Sequence, residues 1–125
     1  MAHSDSRVDL SRIKLSDSGD VSSPDKDESK TIAELAAIAS KHRFMVALGG
    51  DNSITYSVAK GVAATGLITF DAHYDIRDGV SNGSPVRRLI ESGLDGKNVV
   101  QIGIADFSNS PQYAERAREL GITVI

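Results

Sequence analysis

An α/β fold, a parallel sheet covered on both faces as a three-layer α/β/α sandwich, is predicted by two observations on the sequence. From Thr31 onward helix and strand signals alternate, and the strand runs are continuously apolar, as in strands buried on both faces. Polar clusters, "GGDNS" and "DAHYDIRD", follow directly after two of these runs. That is the carboxyl edge, where open α/β sheets bind ligands.

The elements are justified one by one. Residues 1–30 hold eight serines, many acids and few large apolar side chains. This stretch reads as a flexible polar segment, with one short strand around "SRIKL" (11–15). Thr31 and Glu34 can form a capping box, after which Ile32, Leu35, Ala36 and Ala39 share one helix face. "FMVAL" (44–48) is a buried-strand run ended by Gly49-Gly50, and "DNSITYSVAKGVA" (51–63) is helical, capped by Asp51, Asn52 or Ser53. "GLITF" (66–70) is the next strand. Ser84-Pro85 starts a short helix over 85–92, closed by Gly93. "NVVQIGI" (98–104) is a strand, Ser110-Pro111 opens a helix over 111–120 with Gly121 as its stop, and "ITVI" (122–125) begins a last strand. Residues 31–125 are therefore expected to form one partial α/β domain, with the apolar end of the chain suggesting a piece cut from something longer.

Composition narrows the function classes. A formal charge of −3 among 125 residues, with no basic run carrying interleaved aromatics, argues against nucleic-acid and anionic-membrane partners. The absence of cysteine excludes disulfides, thiolate catalysis and Zn–Cys sites. No apolar run approaches the roughly 20 residues of a membrane span, and the polar N-terminus lacks a signal-peptide core. A soluble, cytoplasmic protein acting on a small molecule is the expectation.

The chemistry concentrates in "DAHYDIRD" (71–78). Asp71, His73 and Asp75 alternate, so in an extended chain they point the same way. On a straight strand Asp71 and Asp75 would stand roughly 13 Å apart at about 3.3 Å per residue, too far to share an ion. Either the chain curls past the strand end to gather them around one metal or two, or the run is a solvated polar turn. Spacing alone leaves both open. Carboxylates with one imidazole and no thiol suit Mn²⁺ or a similar borderline-hard cation. "GGDNS" by itself is better explained as a turn and a helix cap than as a binding loop. "SNGSPVRR" (81–88) offers polar side chains, and Arg77, Arg87 and Arg88 could pair with a substrate carboxylate, although Arg88 reads better as a solvated helix residue. His3 and His42 lack ligand-like neighbours in sequence.

Together, "ALGGDNSIT", "TFDAHYDIRD", "NGSPVRRLIESG" and "VVQIGIADFSNSPQY" resemble, in this order, the ureohydrolase family of arginases, agmatinases and formimidoylglutamases. The resemblance runs from Ala47 to Val124 and is strongest to the formimidoylglutamase branch. It implies a three-layer α/β sandwich, a binuclear manganese centre, and hydrolysis of a linear amidine, N-formimidoyl-L-glutamate, to L-glutamate and formamide. It also implies an oligomer of identical subunits. Matched residue by residue, Asp71, His73 and Asp75 fall on metal ligands with catalytic roles, while Asn82, Ser84 and Arg77 are the substrate-binding candidates from the run that follows them.

Three departures qualify this. Asn52 stands where the family usually carries a metal-binding histidine, and a neutral amide oxygen is a poorer Mn²⁺ ligand than imidazole. Asn82 replaces a histidine of arginases and agmatinases, as in the formimidoylglutamase branch. The later "SxDxDxxDP" ligands are absent, so the chain carries about half of the metal-ligand set. By itself it is expected to be nearly inactive. The alternatives are an agmatinase or guanidino-acid hydrolase, and a non-catalytic truncated relative that binds a ligand or partner.

Overall fold

A computed structural model describes Ala2–His3, Val8–Asp9, Ser11 and residues 13–125. The expected flexibility of residues 1–10 lies largely outside these. What is described there is a two-residue antiparallel ladder, β1 (Ala2–His3) with β2 (Val8–Asp9). The strand expected over 11–15 is not formed among the described residues, where 13–15 pair with nothing as a strand.

Helix α1 spans Glu28–Ala39 and starts three residues before the expected Thr31. Its cap is Asp27, whose carboxylate accepts from the Lys30 N–H at 2.9 Å. The capping box does not form, because its members are engaged elsewhere. Thr31 is buried with its hydroxyl donating to the Asp27 carbonyl, and Glu34 accepts from both the N–H and the hydroxyl of Ser22. Those two bonds hold the Glu34 carboxyl below its ordinary pKa and dock part of the polar segment onto the helix. Helix α2 (Ile54–Gly61) crosses α1 closely enough that a Cβ on Gly61 would lie 2.7 Å from the Leu35 Cβ, so only glycine fits there.

Strands β3 (Leu67–Phe70), β4 (Val99–Ile102) and β5 (Thr123–Val124) form a parallel sheet in the order β3-β4-β5. Helices α3 (Pro85–Glu91) and α4 (Pro111–Glu119) are its crossovers. Two right-handed crossovers stepping the same way across a sheet place both helices on one face. Val86 of α3 and Ala117 of α4 accordingly pack with Val99 of β4 and with Tyr74, Ile76 and Ile122 in one core. On β3, Ile68 and Phe70 point to the other face and are 63% and 80% exposed. The parallel α/β class is as expected, and the helical layer seen here is the one on the core face.

The expected strand 44–48 is a correction. The run has no ladder partner, and Phe44, Val46 and Leu48 stand exposed. Its apolar pattern reports a strand suited to burial, but strand structure also needs a neighbour to take its backbone N–H and C=O groups.

Arg88 was read as a solvated helix residue, and the structure corrects this. Its side chain is 11% exposed, ion-paired to Glu28 at 2.6 Å and stacked 3.7 Å over the Tyr56 ring. One arginine thereby ties α3 to the start of α1 and to α2. Among the described residues no helix is long and apolar enough to cross a membrane.

Candidate active site

The polar clusters meet at the carboxyl edge of the sheet, as their positions after strand runs predict. Asp71 leaves the end of β3, and its N–H bonds the Ile102 carbonyl of β4. The chain then curls. Asp75 takes a left-handed backbone conformation, φ +55°, unusual for a residue with a side chain. This turns Tyr74 and Ile76 into the core and brings the Asp75 carbonyl under α3, where it accepts from the N–H groups of Val86 and Arg87. Two donors of the first helical turn, which have no partner within the helix, are satisfied by the loop that carries the carboxylates.

Asp71, His73 and Asp75 line one open pocket of about 310 Å³ together with Asn52, Arg77 and Asn82. Asp71 Oδ1 accepts from the His73 N–H at 2.8 Å and lies 3.2 Å from His73 Nδ1. Asp75 is buried, and its Oδ2 accepts from Asn52 Nδ2 at 2.6 Å. Burial pushes the Asp75 carboxyl above the ordinary carboxylate range; the Asn52 amide opposes this, and the nearby Asp71 charge adds to it.

Asn52 was a candidate metal ligand, and in this arrangement it is a bridge. Its oxygen accepts from Thr55 Oγ1 at 2.8 Å, while its nitrogen reaches Asp75 and the Asn82 carbonyl. Next to Asn52, the Asp51 carboxyl accepts from the N–H and hydroxyl of Ser53, which hold it below its usual pKa. Ser84, expected to touch substrate, is fully buried. Its hydroxyl donates to the Ser81 carbonyl and accepts from the Ser81 N–H, so it closes the turn before α3 and does not line the pocket.

The arginines divide. Arg87 pairs with Glu91 and donates to the Arg77 and Gly79 carbonyls, which shapes the 77–83 loop from below. Arg116 holds the same loop through Ile76 O and Asp78. Arg77 is the arginine whose side chain lines the pocket, lying over Gly83 so closely that a Cβ there would meet its Cδ at 2.8 Å. Sequence reasoning missed the rest of the wall: Ser108, Asn109, Ser110 and Tyr113. They follow β4 as the acidic run follows β3, and the same carboxyl-edge rule would have found them.

As donors, two carboxylates and an imidazole fit a divalent cation in kind. The side chains are not gathered: among the described residues no three histidine or acidic groups form a cluster ready for a metal. Each carboxylate takes a hydrogen-bond donor instead, Asp71 from the His73 N–H and Asp75 from the Asn52 amide.

A model of the arginase family matches residues 1–125. A formimidoylglutamase from Halalkalibacterium halodurans is 38% identical over 132 residues, an alignment covering 94% of this chain and 41% of the relative. The crystal structure of formimidoylglutamase from Bacillus subtilis superposes with a TM-score of 0.70 at 38% identity over 78% of this chain and 34% of that one. The Trypanosoma cruzi formiminoglutamase solved with Mn²⁺ gives 0.84 at 22% identity over 96% and 45%, a likeness of fold. The chain thus spans about 41% of the length of its Halalkalibacterium relative. With the family pattern matched along its whole sequence and the parallel sheet carrying the acidic loop at its carboxyl edge, the chain belongs to the arginase family.

Proposed function

We propose that the protein to which this chain belongs hydrolyses a linear amidine, N-formimidoyl-L-glutamate, to L-glutamate and formamide in histidine degradation, with Mn²⁺ as its cofactor. The observation that carries this is the shared pocket: Asp71, His73 and Asp75 stand on the same edge as Arg77 and Asn82. The resemblance to formimidoylglutamases supports the choice of substrate. Asp71, His73 and Asp75 would hold the metal, which supplies hydroxide from water at neutral pH and stabilises developing negative charge. In the reaction water oxygen adds to the formimidoyl carbon and the bond from that carbon to the glutamate nitrogen breaks, releasing the amine.

The chain's own residues bind and orient. Arg77 offers a guanidinium to a glutamyl carboxylate, a charge-assisted contact that a linear guanidine without a carboxylate would not make. Its side chain lies over Gly83 at the pocket, whereas Arg87 and Arg88 are committed to Glu91 and Glu28. The Asn82 amide sits beside the Asn52 bridge and can hydrogen-bond the substrate's polar atoms.

The test is formamide release by the longest natural form of the protein, with metal content measured by elemental analysis. Manganese-dependent turnover is expected; near-zero manganese after metal-replete expression would sink the reading. Arg77→Ala should raise KM about tenfold or more while changing kcat less, as expected for loss of a charged hydrogen bond worth about 1.5–3 kcal/mol. An unchanged KM would remove Arg77 from substrate binding.

We also propose self-association. Ile68 and Phe70 are exposed on β3, which among the described residues is an edge strand of its sheet. Exposed apolar side chains beside an unpaired edge favour pairing with another copy. Sedimentation velocity on this chain should show dimers or larger species, and a single monomeric boundary at micromolar concentration would contradict it.

A further inference from the structure

The curl that brings Asp71, His73 and Asp75 to one pocket has an identifiable cause outside those residues. The backbone from Ala72 to Tyr74 lies beyond β3 and before α3, so no helix or strand ladder satisfies its peptide groups. The His73 N–H goes to Asp71 and the Ala72 carbonyl takes the Ala105 N–H, and two side-chain amides from the next strand–helix unit supply further bonds. Asn109 Nδ2 donates to the Ala72 carbonyl at 2.7 Å, and Asn109 Oδ1 accepts from the Tyr74 N–H at 3.3 Å. One carboxamide therefore grips the chain on both sides of His73. Its second N–H closes the turn below through the Ala105 carbonyl at 2.8 Å, and the Ala105 N–H in turn bonds Ala72 O. From inside the core, Gln101 Nε2 donates to the Tyr74 carbonyl at 2.9 Å.

Gln101 adds a second, independent observation. It is fully buried on β4, two residues after apolar Val99, and among the described residues its own Oε1 finds no partner. A buried polar atom left unpaired is unfavourable, and an apolar residue at this strand position would avoid it. What glutamine supplies that leucine cannot is the bond to Tyr74 O.

We infer that Asn109, backed by Gln101, is a positioning residue for the candidate metal site, holding the 72–74 backbone in the curl that presents His73 between Asp71 and Asp75. In this role each acts through the loop, although Asn109 also lines the pocket. The metal arm of the inference rests on the proposed manganese function, while the loop arm does not.

The two arms, exchange and manganese binding, are read separately on the longest natural form of the protein. Amide hydrogen exchange by NMR reports the clamp without any metal. Asn109→Leu removes all three bonds, and Asn109→Ser does so with less steric demand should leucine prevent folding. In either, the Tyr74 N–H is expected to exchange at least about tenfold faster, while core amides such as Val99 and Ala117 keep their protection. Asn109→Asp turns an anionic oxygen toward the Ala72 and Ala105 carbonyls in place of the donor and should also lose Tyr74 protection at neutral pH. Manganese titration is the second readout: Leu and Ser variants should bind about 10–100-fold more weakly, the usual effect of losing a group that orients a ligand. Unchanged Tyr74 exchange in a folded Leu or Ser variant overturns the inference. Faster exchange with unchanged manganese affinity overturns its link to the metal site. A wild-type protein of that length that binds no manganese counts against the proposed cofactor, and the exchange result still decides the clamp.

Discussion

Asp75→Asn is expected to stabilise the metal-free chain at neutral pH while removing its manganese binding. The Asp75 carboxyl is buried, pushed above the ordinary carboxylate range by that burial, and faces the like charge of Asp71. A carboxyl whose pKa is higher in the folded state binds its proton more tightly when folded. Its contribution to stability is therefore full below the unfolded carboxylate pKa and is lost as pH rises through the raised folded value. Near pH 7 the ionised Asp75 works against the fold. Asparagine removes the charge and keeps an oxygen for the Asn52 Nδ2–H, so the bridge survives. Thermal denaturation should show a higher Tm for the variant at pH 7 and a gap that closes toward pH 4. A variant less stable than wild type at pH 7 would contradict this account of the site. In the active protein the same change should lower kcat/KM by at least about 10²-fold, the scale of losing one preorganised charge-stabilising group.

Ile76→Ala is expected to cost about 2–5 kcal/mol, the range for truncating a buried isoleucine to alanine. Ile76 is 1% exposed and sits in the core with Val86, Val99 and Ala117. For a domain whose total stability is about 5–15 kcal/mol, that loss leaves little margin. Ile76 also stands between Asp75 and Arg77, so its burial anchors the site as well as the core. Urea denaturation should show a markedly lower midpoint for Ile76→Ala, with Ile13→Ala, at a half-exposed position, as the near-neutral control. A loss below about 1 kcal/mol for Ile76→Ala would mean that the loop carries less of the core than its burial indicates.

Much of the fold was legible because its signals are local. Ser-Pro pairs mark the starts of α3 and α4, Gly93 and Gly121 stand past their ends with positive φ, and the apolar runs of β3 and β4 lie where periodicity puts them. The failures share one physical origin. The run 44–48 has strand character without a strand partner, and the Thr31–Glu34 box lost its members to Asp27 and Ser22. Local propensity states what a segment can form, and the competition among distant partners states what it does.

The site divides in the same way. From sequence alone came the residue types, the place of the acidic run at a strand's carboxyl end, and a family resemblance strong enough to name candidate ligands. Only the tertiary structure decided which of them share a pocket and which do not. Ser84 proved committed to Ser81, Arg88 to Glu28 and Tyr56, and Asn52 to a bridge between Thr55 and Asp75. Asn109 and Gln101 entered as the groups that hold the loop. The reason is distance along the chain. A hydrogen bond between residues 27 to 37 positions apart leaves no periodic trace in either segment, so the curl that turns Asp71, His73 and Asp75 to one pocket becomes visible only when β3 and β4 lie side by side.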